Sequence, residues 1–335
     1  MSTAEALWSL LAAGQQLTVV CHNNPDPDCL ASSLALGTIA EHAGIDERRI
    51  LYSGTVSHQQ NRAFVNLLDV RLQPFAAGAV RDRPEGSLLA FVDHAVPGRN
   101  NEVPPDVAVD VVIDHQDTEP VAAEFVDHRP DVGATATILV DHLRRLDAPV
   151  AERLATALLF AVRRETLGFL RGTTPEEYDA AGWLHSRADR SLLRTLSNPS
   201  VSGETVDTIA EAIRSRVVRG SVLLSGVGRT GERDALPQAA DYLATLEGVD
   251  TAVVFGLVGD SIHLSARSTD SRVHVGTVLE DAFGDVGSAG GHREMAGGEV
   301  PLGVFAGHDD DRLPDIVGQV VVARLEAALG VAAEG

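Results

Sequence analysis

The chain has 335 residues, enough for one large domain or two ordinary ones, and its hydrophobic content of 44% supports a packed core. Its formal net charge is −21, and all 27 basic residues are arginine. That balance excludes broad electrostatic binding of nucleic acid, which needs a basic face; it fits a salt-rich cytoplasm, where screening relieves self-repulsion, with an acidic mesophilic enzyme as the alternative.

In chain order, MSTAEALWSLL reads as an amphipathic helix without the basic segment of a signal peptide. Residues 17–22 form an apolar run of strand length, and 29–42 read as a helix carrying Leu30, Leu34, Leu36, Ile39 and Ala40. Residues 49–54 give a second strand and 61–68 a helical stretch. SLLAFVD (87–93), VAVDVVID (107–114) and a short run at 123–127 give three more strands, and helices follow at 134–146 and 150–163. Buried strands alternating with helices predict a doubly wound α/β domain with a mainly parallel sheet covered on both faces. RGTTPEEYDAAGWLHSRADRSLL reads as a turn and a helix, and the cluster SNPSVSG marks a boundary. The expected organisation is therefore a domain at 1–196, a linker at 197–204 and a second domain at 205–335. The second half reads as a helix (205–217), the strands SVLLSGV, TAVVFGLV and SIHLSAR, a glycine-rich loop GSAGGHREMAGG and a helical tail at 313–329, a smaller α/β domain. No apolar run approaches the ~20 residues of a membrane span. Cys21 and Cys29 cannot make a disulfide framework and read as small buried residues of a reducing compartment. A cytoplasmic protein off the membrane is expected.

In open parallel sheets, ligands bind outside the carboxyl ends of the strands. His22 ends the first strand with Asp26 and Asp28 in the turn HNNPDPD; Asp93 ends the third, and Asp114 and His115 end the fourth. Carboxylates and imidazoles gathered in a small volume call for a cation, and oxygen-rich donors with a few histidines suit Mn²⁺ or Mg²⁺. Pro25 and Pro27 stiffen the turn so that Asp26 and Asp28 can address different ions. Asp28 also sits where the next helix starts, so a plain N-cap is the alternative. Of the four Asp-His pairs, 127–128 and 141–142 read as surface, while 93–94 and 114–115 follow apolar strands and read as functional. SHQQNRAF (57–64) reads equally as polar contacts near the site or as an ordinary helix start.

Together these residues resemble the DHH family of phosphoesterases joined to its DHHA1 partner domain. HNNPDPD is similar to the family's His-x-x-Pro-Asp-x-Asp motif, FVD at Asp93 to its second motif, and Asp114-His115-Gln116 to the namesake Asp-His-His. GATATIL at 133–139 and RRETLGFLRGTTPEEY follow in order; in the second half come Ala266-Arg267-Ser268 and GGHREMAGG. The resemblance implies a two-ion Mn²⁺ site with Mg²⁺ as substitute, one ion held by His22, Asp26 and Asp93, the other by Asp28, Asp93, His115 and Glu165. Asp93 would bridge, and Asp114 would orient His115. Arg267, Ser268, Gly290, Gly291 and His292 would hold the substrate, with the active site in a cleft between the domains. Two residues depart from the family pattern: Glu165 stands for an aspartate, and Gln116 for the second histidine, which lies near the scissile phosphate in relatives. Glutamine donates a hydrogen bond but cannot deliver a proton.

The expected function is hydrolysis of short nucleotides by a metal-activated water, the candidates being oligoribonucleotides, 3′-phosphoadenosine 5′-phosphate or di-adenylates. The acidic surface disfavours long duplex nucleic acid and a RecJ-like single-strand exonuclease. A pyrophosphatase would carry a different second domain. A nucleotide-sensing module that has lost turnover is the non-enzymatic alternative, motivated by Glu165 and Gln116. A homodimer is compatible with each of these readings.

Overall fold

Ser2 starts the first helix with a capping box: its hydroxyl accepts from Glu5 N–H at 3.2 Å, and the Glu5 carboxylate accepts from Ser2 N–H at 2.7 Å. The computed structural model describes residues 2–331 except 55, 57–58, 118–121, 199 and 308–310. The chain divides into two units, Met1–Pro199 and Ser200–Gly335. In the first, the described elements are α1 (Thr3–Ala13), β1 (Gln16–Val20), α2 (Pro27–His42), β2 (Glu47–Tyr52), α3 (Gln59–Leu67), β3 (Gln73–Pro74), α4 (Ala77–Arg81), β4 (Ser87–Val92), β5 (Val111–Asp114), β6 (Phe125–His128), α5 (Thr135–Arg145), α6 (Glu152–Glu165), α7 (Pro175–His185) and α8 (Arg190–Ser197).

The six strands run in the order β3-β2-β1-β4-β5-β6, and every pairing is parallel. The chain first winds outward from β1 to β3, then crosses to β4 and winds the other way, as a doubly wound fold does. Alternation along the strands builds two apolar layers. Leu17, Val19, Ala90, Val92, Val111 and Ile113 face α2, α5 and α6; Val20, Leu89, Phe91 and Val112 face Val80 and Val103 on the other side.

Three expectations change in this unit. The fourth strand begins at Val111 rather than at 107, because the Asp110 carboxylate takes the Leu89 N–H at 2.7 Å, where a ladder carbonyl would sit. The segment after Arg171 forms two helices, since Asp189 caps a new one by accepting from Ser191 N–H and Leu192 N–H. The Asp-His pairs at 127–128 and 141–142 are not both surface features. Asp127 and His142 are buried, with His142 Nε2 at 2.8 Å from Asp127 Oδ2, and Arg129 clamps the same carboxylate through two bonds of 2.8 Å. His142 lies on the face of α5 turned to β6, where its ring meets Phe125 edge-on at 6.0 Å.

The second unit contains α9 (Gly203–Arg214), β7 (Val217–Arg219), β8 (Val222–Arg229), α10 (Ala235–Leu243), β9 (Thr251–Val258), β10 (Ser261–Ser268), α11 (Val275–Phe283), β11 (Ser288–Gly291), β12 (Met295–Pro301) and α12 (Leu313–Leu329). Its sheet order is β11-β12-β10-β9-β8-β7, with β8 and β9 parallel and the other pairs antiparallel. Helices α11 and α12 supply residues to one apolar layer, α9 and α10 to the other. α10 and α11, each nine residues long, are additional to the helices read at 205–217 and 313–329; they contain Pro237 and Gly276 respectively. The expected glycine-rich loop is a hairpin of β11 and β12. Glycine is required there by close approach: a Cβ on Gly291 would lie 2.6 Å from Ala296 Cα, and one on Gly276 would lie 2.3 Å from Gly291 O.

Burial raises the Asp127 pKa, but His142 and Arg129 outweigh it and hold the group at about 2 against an ordinary 3.8. The folded-state value lies below the unfolded one, so this stabilisation is present above about pH 4 and is lost as pH falls towards 2. Asp127→Asn is expected to lower stability by roughly 2 kcal/mol at neutral pH, and the gap to wild type should close in acid. Urea unfolding over a pH series checks this; a gap that persists unchanged at acid pH would show that the ion pair is not its source.

Candidate metal centre

β1 and β4 are neighbours at the point where the winding reverses, so the segments leaving their carboxyl ends share one edge of the sheet. His22 follows the first and Asp93 the second. Backbone bonds seat the turn between β1 and α2: Asn23 N–H donates to Asn100 O at 2.6 Å and Asn24 N–H to Ser53 O at 3.0 Å. The Asn61 side chain donates to Pro25 O at 3.2 Å, a contact from the 57–64 segment; Ser57 and His58 lie outside the described residues.

The N-cap of α2 is Asp26, whose Oδ1 accepts from Asp28 N–H at 3.0 Å and Cys29 N–H at 3.1 Å, with Pro27 in the first turn. The capping role weighed for Asp28 at this helix therefore falls to its neighbour. Asp28 is itself buried and reaches another helix: its two carboxylate oxygens accept from Thr135 N–H and Ala136 N–H, each at 2.8 Å. Ala134, the N-cap residue of α5, has no side chain able to do this, so Asp28 caps α5 from outside.

Asp93 is also buried and has φ +64°, a left-handed conformation uncommon for a residue with a side chain. Its N–H donates to Ile113 O at 3.0 Å, and its carbonyl accepts from Gln116 Nε2 at 2.9 Å. Asp93 Oδ2 lies 3.4 Å from His22 Nε2, and Oδ1 lies 3.5 Å from His115 Nε2 and accepts from the Thr135 hydroxyl at 3.1 Å. The outer distances are 3.8 Å from His22 Nε2 to Asp26 Oδ1 and 3.9 Å from His115 Nε2 to Asp28 Oδ2. Two donor groups result, His22–Asp26–Asp93 and Asp28–Asp93–His115, each with its ligand atoms within 4.8 Å of one another. Each imidazole places Nδ1 on a backbone carbonyl at 3.0 Å, His22 on Asn23 O and His115 on Val132 O. Donation from Nδ1 there sets each ring so that Nε2 faces the carboxylates and becomes the ligating atom once its proton is lost, the usual preparation of a metal-binding histidine.

The electrostatics of the protein alone express the same demand for a cation. Burial and the nearby Asp93 push the Asp28 carboxyl well above its usual range, and burial with Asp26 and Asp93 raises Glu165. Burial opposes charge on the imidazoles, yet the carboxylates win: His22 is raised well above its ordinary value by Asp26 and Asp93, and His115 is pushed up to about 10 by Asp93 and Asp28. Asp93 is correspondingly held well below its usual range by the two histidines against the effect of burial. Protons retained on these groups supply the positive charge that a divalent ion would replace on binding. The donors are oxygen and imidazole; the buried Cys29 thiol instead donates to Val92 O at 3.5 Å. This chemistry fits metal binding.

The other expected site residues are placed differently. His115 is oriented by the Val132 carbonyl rather than by Asp114, whose Oδ1 accepts from Gln116 N–H at 3.0 Å; burial pushes the Asp114 carboxyl up to about 6. Glu165 lies outside both donor groups: its Oε1 accepts from Arg171 at 2.9 Å, although its charge is felt by Asp28. His94 is buried and stacks on Phe91 at 4.3 Å, and burial and His22 hold it down at about 4. In the second unit, the Arg267 guanidinium bonds to Asp241 at 2.5 Å and to Ser265 Oγ at 3.2 Å. Ser268 pairs with the Thr251 hydroxyl at 2.9 Å, and its N–H donates to Glu294 O in the hairpin turn at 2.9 Å. Arg267 and Ser268 thus end β10 beside the turn that His292 opens, after Gly290 and Gly291 of β11. Sequence reasoning missed Thr135 and Val132 as supports; Asn61 lies in the 57–64 stretch, where polar contacts near the site were one of the two readings. GATATIL marked the start of α5, but only the fold brings Asp28 to it.

Residues 16–162 match the model of the DHH family N-terminal domain, and residues 219–324 that of the DHHA1 domain. An uncharacterized protein of Methanocaldococcus jannaschii is 38% identical over 95% of this chain and 65% of its own length. The cyclic-di-AMP phosphodiesterase PdeA of Listeria monocytogenes is 28% identical over 88% of this chain and 46% of its own length. The chain thus spans less than two thirds of either relative. Among solved structures, an exopolyphosphatase-related protein from Bacteroides fragilis aligns with TM-score 0.72 over 98% of this chain and 97% of that one, at 14% identity. A structure of exonuclease RecJ bound to manganese aligns with TM-score 0.52 over 99% and 95%, at 15% identity. These two likenesses are of fold.

Mn²⁺ added to metal-stripped protein at about a hundred times its Kd is expected to stabilise the fold by about 2.7 kcal/mol. Asp93→Asn should abolish the increment. Thermal unfolding with and without Mn²⁺ or Mg²⁺ decides the matter: identical curves for wild type in both metals and in chelator would count against a metal centre.

Proposed function

Starting from a chain that belongs to the DHH family and carries a DHHA1 domain as its second half, we propose a metal-dependent phosphoesterase that hydrolyses short nucleotides. The observation that carries this reading is the position of Asp93, whose two carboxylate oxygens face the two imidazoles of separate donor groups. His22, Asp26 and Asp93 would hold one divalent ion, and Asp28, Asp93 and His115 the other. Mn²⁺ suits the donors, with Mg²⁺ as substitute. Bound there, such a pair supplies an activated water and neutralises phosphate charge. The chain's own residues do the rest. Asp93 carries a charge in reach of both groups, and the carbonyls of Asn23 and Val132 hold the imidazoles in the ligating tautomer.

Leaving-group protonation falls to solvent, since Gln116 is not an acid and its amide is engaged by the Asp93 carbonyl. This favours short substrates whose leaving group needs little help. Arg267, Ser268, Gly290, Gly291 and His292 are proposed to bind the substrate. Arg267 must exchange its Asp241 partner for a phosphate, which is geometrically natural for a guanidinium. The net charge of −21 disfavours long polyanions and favours work at high salt. The relative named for cyclic-di-AMP hydrolysis supports di-adenylates as first candidates.

A second reading, a sensing module without turnover, has one specific observation in its favour: Glu165 and Gln116 are both committed to protein partners. A panel of short RNA, 3′-phosphoadenosine 5′-phosphate, cyclic and linear di-adenylates and pyrophosphate, tested with Mn²⁺ at low and molar salt, separates the two. Turnover of at least one short nucleotide is expected, with Asp93→Ala abolishing it while folding is kept. Tight binding without turnover in folded protein would sink the enzyme reading.

A further inference from the structure

Asp93 is the residue on which both donor groups depend, and its backbone stands in a conformation that needs outside support. Three groups hold it. The Ile113 carbonyl accepts its N–H at 3.0 Å, the Thr135 hydroxyl donates to its carboxylate at 3.1 Å, and the Gln116 amide donates to its carbonyl at 2.9 Å. The last of these bonds is made by a side chain that the resemblance to the family would place against substrate. We propose that Gln116 is a positioning residue: its amide fixes the Asp93 carbonyl, so that the left-handed turn after β4 directs one carboxylate oxygen to each donor group.

The anchoring of Gln116 suits that role. Its N–H donates to Asp114 Oδ1 at 3.0 Å, and its carbonyl accepts from His128 Nε2 at 2.6 Å. Asp114 and His128 are paired across β5 and β6, so Gln116 is fixed to the two outer strands while its side chain reaches the end of β4. Asp114, expected to orient His115, instead orients the residue that holds Asp93. The bond needs a donor: a carbonyl can accept from the amide, whereas a carboxylate at the same place offers only acceptors. Gln116 is itself exposed, so replacing it opens no cavity in the core.

The inference rests on the metal reading above, and the test separates the two. Gln116→Met keeps the length and removes the donor; Gln116→Glu keeps the shape and turns the donor into an acceptor. Mn²⁺ affinity is measured calorimetrically on substrate-free protein, with the electron paramagnetic resonance spectrum of bound Mn²⁺ as a signature of the site. Both variants should bind Mn²⁺ about 10–100-fold more weakly than wild type, as partners of metal ligands do when removed. They should also show an altered Mn²⁺ spectrum and a metal-free melting temperature close to that of wild type. Wild-type Mn²⁺ affinity in both variants, with only KM for a nucleotide raised, would place Gln116 against substrate and overturn the proposal. Loss of the metal-free fold in both would overturn it as well, by making the amide a general support. Failure of wild type to bind Mn²⁺ defeats the metal reading and this inference with it.

Discussion

Crowding of buried carboxylates is the constraint around which the first unit is arranged. Asp28 and Asp93 are buried, Asp26 stands beside them, and three like charges in so small a space require compensation. The protein supplies part of it with two imidazoles driven towards the charged form, and part with N–H and hydroxyl donors from the first turn of α5. That turn does two things at once. It offers unpaired amides to a carboxylate, as helix N-termini do, and it ties α5 to the turn before α2. The fold and the charge cluster are therefore mutually dependent: among the described residues the N-cap residue of α5 makes no side-chain cap bond, and Asp28 takes its neutral donors from that turn.

The same economy appears in the backbone. Asp26 caps α2 while standing in one donor group, and Asp93 adopts a left-handed φ that its neighbours on β5 secure. Strain at such a point is tolerable because bonds from Ile113, Gln116 and Thr135 leave the residue no better alternative. The carboxylates of the two donor groups are also structural ones. A substitution in the cluster therefore has to be read for stability and for ligand binding separately.

In the second unit the hairpin of β11 and β12 shows how glycine serves packing as well as turning. Gly276 of α11 and Gly291 of β11 approach so closely that no Cβ fits at either. The end of β10 is held beside the hairpin turn by the Ser268 N–H, which donates to Glu294 O, and the Arg267 guanidinium is bonded to Asp241.

The sequence by itself determined the alternation of strands and helices, the parallel sheet, and the residue types at the strand ends. Those follow from local causes: apolar runs such as SLLAFV are buried on both faces, and His22, Asp93 and Asp114 stand where those runs stop. It also named Gln116 and Glu165 as departures from the family pattern. What each departure does was beyond it. Only tertiary structure gave Gln116 to the Asp93 carbonyl, Glu165 to Arg171, His115 to the Val132 carbonyl and Asp28 to the start of α5. It likewise buried His142 against Asp127 and turned a glycine-rich stretch into a hairpin. The physical reason is common to all of these. Propensity and periodicity act over a few neighbours, whereas Asp28 and Thr135 are 107 positions apart, and a hydrogen bond between them exists only once the sheet has closed the distance.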